Sequence, residues 1–380
     1  MARTAGDVLD ATRGVLALHS SDPCTPHLAM WARVEGFETG DLDRALIETR
    51  SLWRLHAMRR TLFVVARDEA PMFLAAAAVD IASKERRRLE GWIAAGMAAS
   101  KVGPWLKRVE REVSRALAES ELEDMLTQEL SAAIPELARQ IELGSGKWTR
   151  PSPVSSRLLY LMAMDGKLVR TRPAGSWRSS QYRWASVERW FDDEAPAEAL
   201  TRAEAEASLV GRYLETHGPA TFMDIKWWTG WTVKKVRAAL AGLGAVPVTL
   251  DECDDEGWVL ADDLPASKAK PKASVALLPG LDSAPMSRKR RAWFLGPHGP
   301  ALFDRNGNIG PTIWFRGRIV GGWAVRPEGV VATRLLEDIG TRATNKVKAE
   351  ARALGAWLDG EVVTPRFRTP LERELVDGAA

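Results

Sequence analysis

Within 18-LHSSDPCTPHLAMWAR-33, His19, Ser20, Ser21 and Asp22 stand in a row. An imidazole with an unperturbed pKa of about 6.5 can accept a proton at neutral pH. A neighbouring hydroxyl can hold a water, and a carboxylate can offset a developing cation. His19, Ser21 and Asp22 are therefore the candidate catalytic residues, and their chemistry would be delivery of water to an electron-poor carbon. The same residue types also suit the gap between two helices. Ser and Asp favour turns and N-caps, and Thr25 reads as an N-cap with Pro26 at the first helical position. The hydrolytic cluster and the polar cap both stand at this point. A Ser–His nucleophile is disfavoured: adjacent residues seldom face each other, and no Gly-x-Ser-x-Gly elbow surrounds the serine. The two cysteines, Cys24 and Cys253, lie far apart without ligand spacing, so neither a zinc site nor a disulfide framework is expected. No motif supports a metal or an organic cofactor.

A second set of residues suits phosphate. The run 58-MRRTLFVVAR-67 carries Arg59 and Arg60 ahead of a β-branched segment. The run 170-RTRPAGSWRSSQYRW-184 interleaves Arg170, Arg172, Arg178 and Arg183 with Trp177, Tyr182 and Trp184, and Gln181 sits by its tip. Arginines on a ribbon pair with phosphates, and an exposed aromatic can wedge or stack at a base step. Strand alternation turns about half of such side chains inward. In 286-MSRKRRAW-293, Arg288, Lys289, Arg290 and Arg291 are four successive bases, and Arg316 flanks a tight-turn signal at Arg316-Gly317. Double-stranded DNA is the partner that such patches fit.

These residues need elements to hold them. Residues 7–18 carry Val8, Ala11, Val15 and Leu18 at helical spacing, and Asp22-Pro23 interrupts. Helices are expected over 26–34 and 41–50, then two extended segments within 51–67, the order of a winged helix-turn-helix. Helices over 104–118 and 121–132 precede a helix ending at Asp165-Gly166 and an extended arm turning at 173–175. A third round runs from a helix at 201–216 through 232–245 to extended 246–251 and 257–263. After 265–272, a Lys/Pro/Ala stretch read as a linker, short extended runs at 274–280, 300–304, 312–325 and 329–336 predict an antiparallel barrel-like domain. A late helix is expected near 341–359, and 360–367 is expected to return as a strand. The fold class is α+β. Its domains are 1–100, a first winged helix with the candidate catalytic motif; 101–195, a second with the basic wing; 196–265, a third; and 273–380, the β-barrel-like domain.

Composition narrows the classes. With 380 residues, 46% hydrophobic and 27% charged, the chain can bury several cores. A net charge of +3 is only mildly basic; the clustering of bases, set against the acids of 251–263, matters more. The run 72-MFLAAAAVDIA-82 is too short for a membrane span. MARTAGDVLD carries no apolar signal core, so a cytoplasmic protein is expected; with DNA as its partner it would be nucleoid-associated, and a monomer is the default.

The pattern is similar to the winged-helix DNA glycosylase family of the AlkZ and YcaQ type. The segments that carry the likeness are 18-LHSSDPCTPHLAMWARVEGF-37, 57-AMRRTLFVV-65, 171-TRPAGSWRSSQYRWAS-186, 227-WWTGWTVKKVRAAL-240, 277-LLPGLDSAPM-286 and 302-LFDRNGNIGPTIWFRGRIVGGWA-324. The resemblance implies three tandem winged helices followed by a C-terminal β-barrel. It also implies release of alkylated purines and unhooking of interstrand crosslinks. The family's Gln-apolar-Gln or Gln-apolar-Asp motif falls on His19, Ser20 and Ser21, where neither glutamine is present and the middle residue is polar. The expected activity is hydrolysis of the N-glycosidic bond of N7-alkylguanine-type lesions, bulky ones included. The alternative is a non-enzymatic winged-helix DNA-binding protein, either a regulator or a lesion-binding factor. A protein-interaction scaffold is a third class, distinguished by DNA affinity that ignores salt.

Overall fold

The computed structural model describes residues 5–144, 146, 149–191, 200–250, 256–264 and 274–378. The linker expected at 265–272 and the acids at 251–255 lie outside these. The fold is α+β and packs as two compact units. One combines Met1–Leu42 with Ala207–Ala380; the other is Asp43–Glu206.

In the Asp43–Glu206 unit, strands Leu52–His56 and Leu62–Ala66 pair antiparallel, from Leu52 opposite Ala66 to His56 opposite Leu62. Helices Val79–Ala94, Ala99–Glu119, Thr127–Ala133 and Ser155–Met164 follow, then the hairpin of Leu168–Pro173 and Tyr182–Ser186. The Ala99–Glu119 helix buries Val102, Leu106, Val109, Val113 and Leu117, one stripe at helical spacing. They join Leu89, Leu158, Leu161, Leu168 and Trp184 in one core. The helix expected at 121–132 is shorter, Thr127–Ala133. Backbone pairing explains the loss: Met125 and Trp184 exchange N–H···O bonds of 2.8 and 2.7 Å, which hold the preceding residues extended.

In the other unit, helices Phe222–Thr229 and Val233–Leu243 follow the long helix Arg202–His217. Thr221 and Asp224 form a capping box, and Gly230 and Gly244 end the two helices in the left-handed conformation. Strand Glu256–Val259 lies between Ala220–Thr221 and Val246–Thr249. The C-terminal strands Val275–Leu278, Thr312–Phe315, Arg318–Val325 and Val331–Leu335 pair in chain order as an open antiparallel sheet. Helices Thr341–Leu358 and Pro370–Val376 pack on it, so helices rather than further strands cover its apolar side chains.

Several local expectations shift. The first helix stops at Arg13, and Leu16 takes a positive φ of 63°. The second starts at Cys24 rather than Pro26. Residues 300–304 are not a strand; Gly299–Leu302 is a helical turn with Pro near its start, where a missing N–H costs nothing. Residues 360–367 do not pair as a strand; Arg366 bonds Asp22 and Ser21 instead.

Two imidazoles make this fold sensitive to acid; burial, with the charge of Arg288 adding to it, lowers His217 to about 3. Burial, with the charge of Arg170 adding to it, holds His56 well below the usual histidine range. At each, the unfolded chain takes up a proton near pH 6.5 that the folded chain refuses. Both therefore support stability above that pH, and the support is lost as pH falls below it. With both imidazoles refusing the proton, denaturant titrations should show stability dropping by up to about 2.8 kcal/mol per pH unit below 6.5, and His56→Asn should about halve that slope.

Candidate functional site

The His19–Asp22 turn is built into the unit that joins the two chain ends. Its imidazole is buried, 8% exposed, and Nδ1 accepts the Ser21 N–H at 3.4 Å. Ser20 is buried and Ser21 half-buried. Asp22 is 4% exposed. Its Oδ1 accepts the Cys24 N–H at 3.0 Å and its Oδ2 the Arg366 N–H at 2.7 Å. Arg366 also donates from Nη1 to the Ser21 carbonyl at 3.3 Å. Burial pushes the Asp22 carboxyl above the usual aspartate range, against the lowering effect of these N–H donors and of the Arg366 charge. Both Asp22 oxygens are thus engaged, Oδ1 by the first amide of the helix and Oδ2 by the distant Arg366 amide. Thr25, expected as the N-cap, instead donates from Oγ1 to the Gly280 carbonyl at 2.7 Å.

Three further contacts hold the turn. Ser283 Oγ donates to the Ala17 carbonyl at 2.5 Å, and Arg33 makes a bidentate pair with Asp282 at 2.8 and 2.7 Å. A narrow cleft beside the turn is lined by Asp22, Thr25, Leu28, Gly280, Trp323 and Pro365, among others.

The two basic ribbons belong to the Asp43–Glu206 unit. Arg59 and Arg60 form the tip of the first and are exposed. Both are left-handed, φ 54° and 66°, a conformation that non-glycine residues hold only under constraint. The second ribbon divides. Arg183 donates from Nε to Asp124 at 2.6 Å and from Nη2 to Glu129 at 3.0 Å. Arg172 donates from Nε to the other Asp124 oxygen at 2.9 Å, though its side chain stays 47% exposed. Tyr182 and Trp184 are buried. Arg170 lies over the Trp184 ring, 4.9 Å from its centroid. Arg178 and Gln181 are exposed and Trp177 is half-buried. The ribbons meet where Arg54 donates to the Thr171 carbonyl at 3.0 Å. Arg60 and Arg170 both bear on Tyr160, whose phenol burial pushes up to about 12.

The four bases near residue 290 also divide. Arg288 donates to the carbonyls of His217 and Pro219, and Arg291 packs over Trp227 and Phe303. Lys289 and Arg290 are exposed. Arg316 is exposed at a left-handed turn, φ 51°. The catalytic candidates, this loop and Arg316 share one unit, and Arg59 to Arg183 belong to the other. Asp124 and Arg366 escaped the sequence reading: 121–132 looked helical, and no local pattern links residue 366 to residue 22.

Removing the Asp22 carboxylate strands one buried and one part-buried backbone donor. Asp22→Ala should lower stability by about 2–4 kcal/mol, measured by denaturant unfolding. The folded carboxyl keeps its proton to higher pH than the unfolded one, so the loss should be largest in acid and shrink as pH rises through the aspartate range.

No helix among the described residues is long and apolar enough to cross a membrane. No curated protein matches the chain. Among solved structures, it is similar to the DNA glycosylase AlkZ of Streptomyces sahachiroi, with a TM-score of 0.66 and 19% identity over 96% of this chain and 94% of that one. At that identity the likeness speaks for the fold. The family model described as DNA glycosylase AlkZ-like matches residues 12–357, and the chain therefore belongs to the AlkZ-like DNA glycosylase family.

Proposed function

We propose that this chain is a DNA repair glycosylase that hydrolyses the N-glycosidic bond of alkylated purines, N7-alkylguanine and bulkier relatives among them. Three winged-helix modules and the C-terminal sheet module would form its DNA-binding body. The observation that carries the reading is the anchored turn at the family's motif position, with His19 oriented by the Ser21 amide.

The orientation has a chemical consequence. A neutral imidazole whose Nδ1 accepts an N–H carries its own proton on Nε2. In that tautomer Nε2–H is a donor, like the NH2 of an amide. His19 would then hold a water by donating to its oxygen, and the Ser21 hydroxyl would accept from the same water. An N7-alkylguanine is already cationic and leaves as a neutral base, so no acid is needed on the leaving group. The sugar left behind is an oxocarbenium-like cation, which the positioned water attacks, losing its proton to solvent afterwards. Holding the water supplies proximity and orientation, which suits a labile lesion and not an unmodified nucleotide. Exposed Arg59, Arg60, Arg172, Arg178, Lys289, Arg290 and Arg316 would meet phosphates. A monomer acting on nucleoid DNA in the cytoplasm fits an asymmetric lesion.

The test is single-turnover release of base from a duplex containing 7-methylguanine, read as abasic sites. His19→Ala should slow release by about a hundredfold or more while sparing binding. His19→Gln, which keeps an N–H donor, should stay within about tenfold of the parent, since the donor role survives. Silence of the parent chain on both 7-methylguanine and crosslinked duplexes would sink the proposal. The buried imidazole and the capped Asp22 favour one rival, a lesion-binding factor without chemistry. Under it, binding persists, no base is released, and His19→Ala changes nothing.

A further inference from the structure

We infer that Trp293 is a stacking residue for an interruption in a DNA duplex, such as an abasic site, with Lys289 and Arg290 holding the phosphates beside it. The inference rests on the chain being a DNA-binding protein and goes beyond the residues placed at the interface so far.

Trp293 is 46% exposed. A lone exposed tryptophan is ordinary; this one is mounted. Its ring meets Phe294 edge-on, with centroids 4.9 Å apart and planes at 87°. Phe294 in turn stacks on Trp314 at 5.2 Å and 25°. Phe294 and Trp314 are both buried, so Trp293 is the outermost ring of an aromatic ladder rooted in the C-terminal sheet. The loop before it is fastened through its backbone. Asp224, 1% exposed, accepts the N–H groups of Lys289 and Arg290 on Oδ1 at 2.8 and 2.7 Å. The Arg288 guanidinium, tied to backbone carbonyls, lies 5.5 Å from the Trp293 centroid. Lys289, Arg290, Ala292 and Trp293 are the exposed residues of this stretch.

Two cations beside a rigid half-exposed ring match phosphates beside an exposed base face. In an intact duplex the base faces are covered, and opening a step costs a few kcal/mol. At an abasic gap that cost is already met, so the ring can cover a neighbouring base. A glycosylase makes such a gap, and Trp293 would then hold the product.

The experiment measures equilibrium binding of the full chain to fluorescein-labelled duplexes of about 20 base pairs, one matched and one with a central tetrahydrofuran abasic analogue that cannot be cleaved. Trp293→Ala should weaken binding to the abasic duplex about tenfold and to the matched duplex less than about twofold. Trp293→Phe should keep most of the preference. Trp293→Leu, which keeps apolar bulk without a π face, should lose it while unfolding at the parent temperature. Lys289→Gln with Arg290→Gln should weaken both duplexes alike and flatten the salt slope by about 1.8. Equal affinity of parent and Trp293→Leu for the abasic duplex, or equal losses on both duplexes, overturns the inference. Trp293-dependent binding without base release refutes only the glycosylase reading. Base release with Trp293-independent binding refutes only this one.

Discussion

The buried ion pair of Arg33 and Asp282 ties the two ends of the chain into one unit. Asp282 is fully buried and also accepts the Ala284 N–H at 2.9 Å. A buried carboxylate without its partner is costly, of the order of 3–5 kcal/mol, because the charge is left without compensation. The bidentate geometry supplies that compensation and fixes orientation as well as distance. Around it, Thr25 reaches Gly280, Ser283 reaches Ala17, Asp22 receives Arg366, and Trp357 Nε1 donates to the Phe37 carbonyl at 2.9 Å. The His19–Asp22 turn is placed by this set of long-range bonds rather than by the helices on either side of it.

That arrangement explains what was legible beforehand. Periodicity located the long elements: 201–216 against Arg202–His217, and 341–359 against Thr341–Leu358. The paired strands of 51–67 and the break at Asp165-Gly166 were equally plain. What failed was set by partners distant in sequence. Residues 121–126 have helical composition, but Met125 is claimed by Trp184. Residues 360–367 have strand composition, but Arg366 is claimed by Asp22 and Ser21. Thr25 has the chemistry of an N-cap, yet it lies inside the helix and bonds Gly280, while Asp22 takes the first helical amide. The site residues were found as types and positions. Asp22's engagement on both oxygens and the direction of the imidazole required the folded chain.

Charge is sorted in the same way. The sequence presents its basic clusters as uniform runs, whereas the fold divides each into arginines with structural work and cations left outside. Asp124 holds Arg183 and Arg172 and accepts Thr171 Oγ1 at 2.8 Å. Asp224 does the equivalent for the loop near residue 290 through backbone amides. Each acid costs little net field, because its own charge is spent on neighbours within hydrogen-bond reach. The exposed remainder lies at hairpin tips and on a fastened loop, Arg60 among them with Glu85 as its ion-pair partner at 3.4 Å.

The bond between Asp22 and Arg366 spans 344 positions of the chain. During synthesis at roughly 5–20 residues per second, the first partner waits from about twenty seconds to about a minute for the second. The segment Asp43–Glu206 is contiguous and can complete its packing on the ribosome in that interval. The turn bearing His19 is finished only when translation nears its last residues, so a prematurely released chain would carry basic ribbons without a completed His19–Asp22 turn.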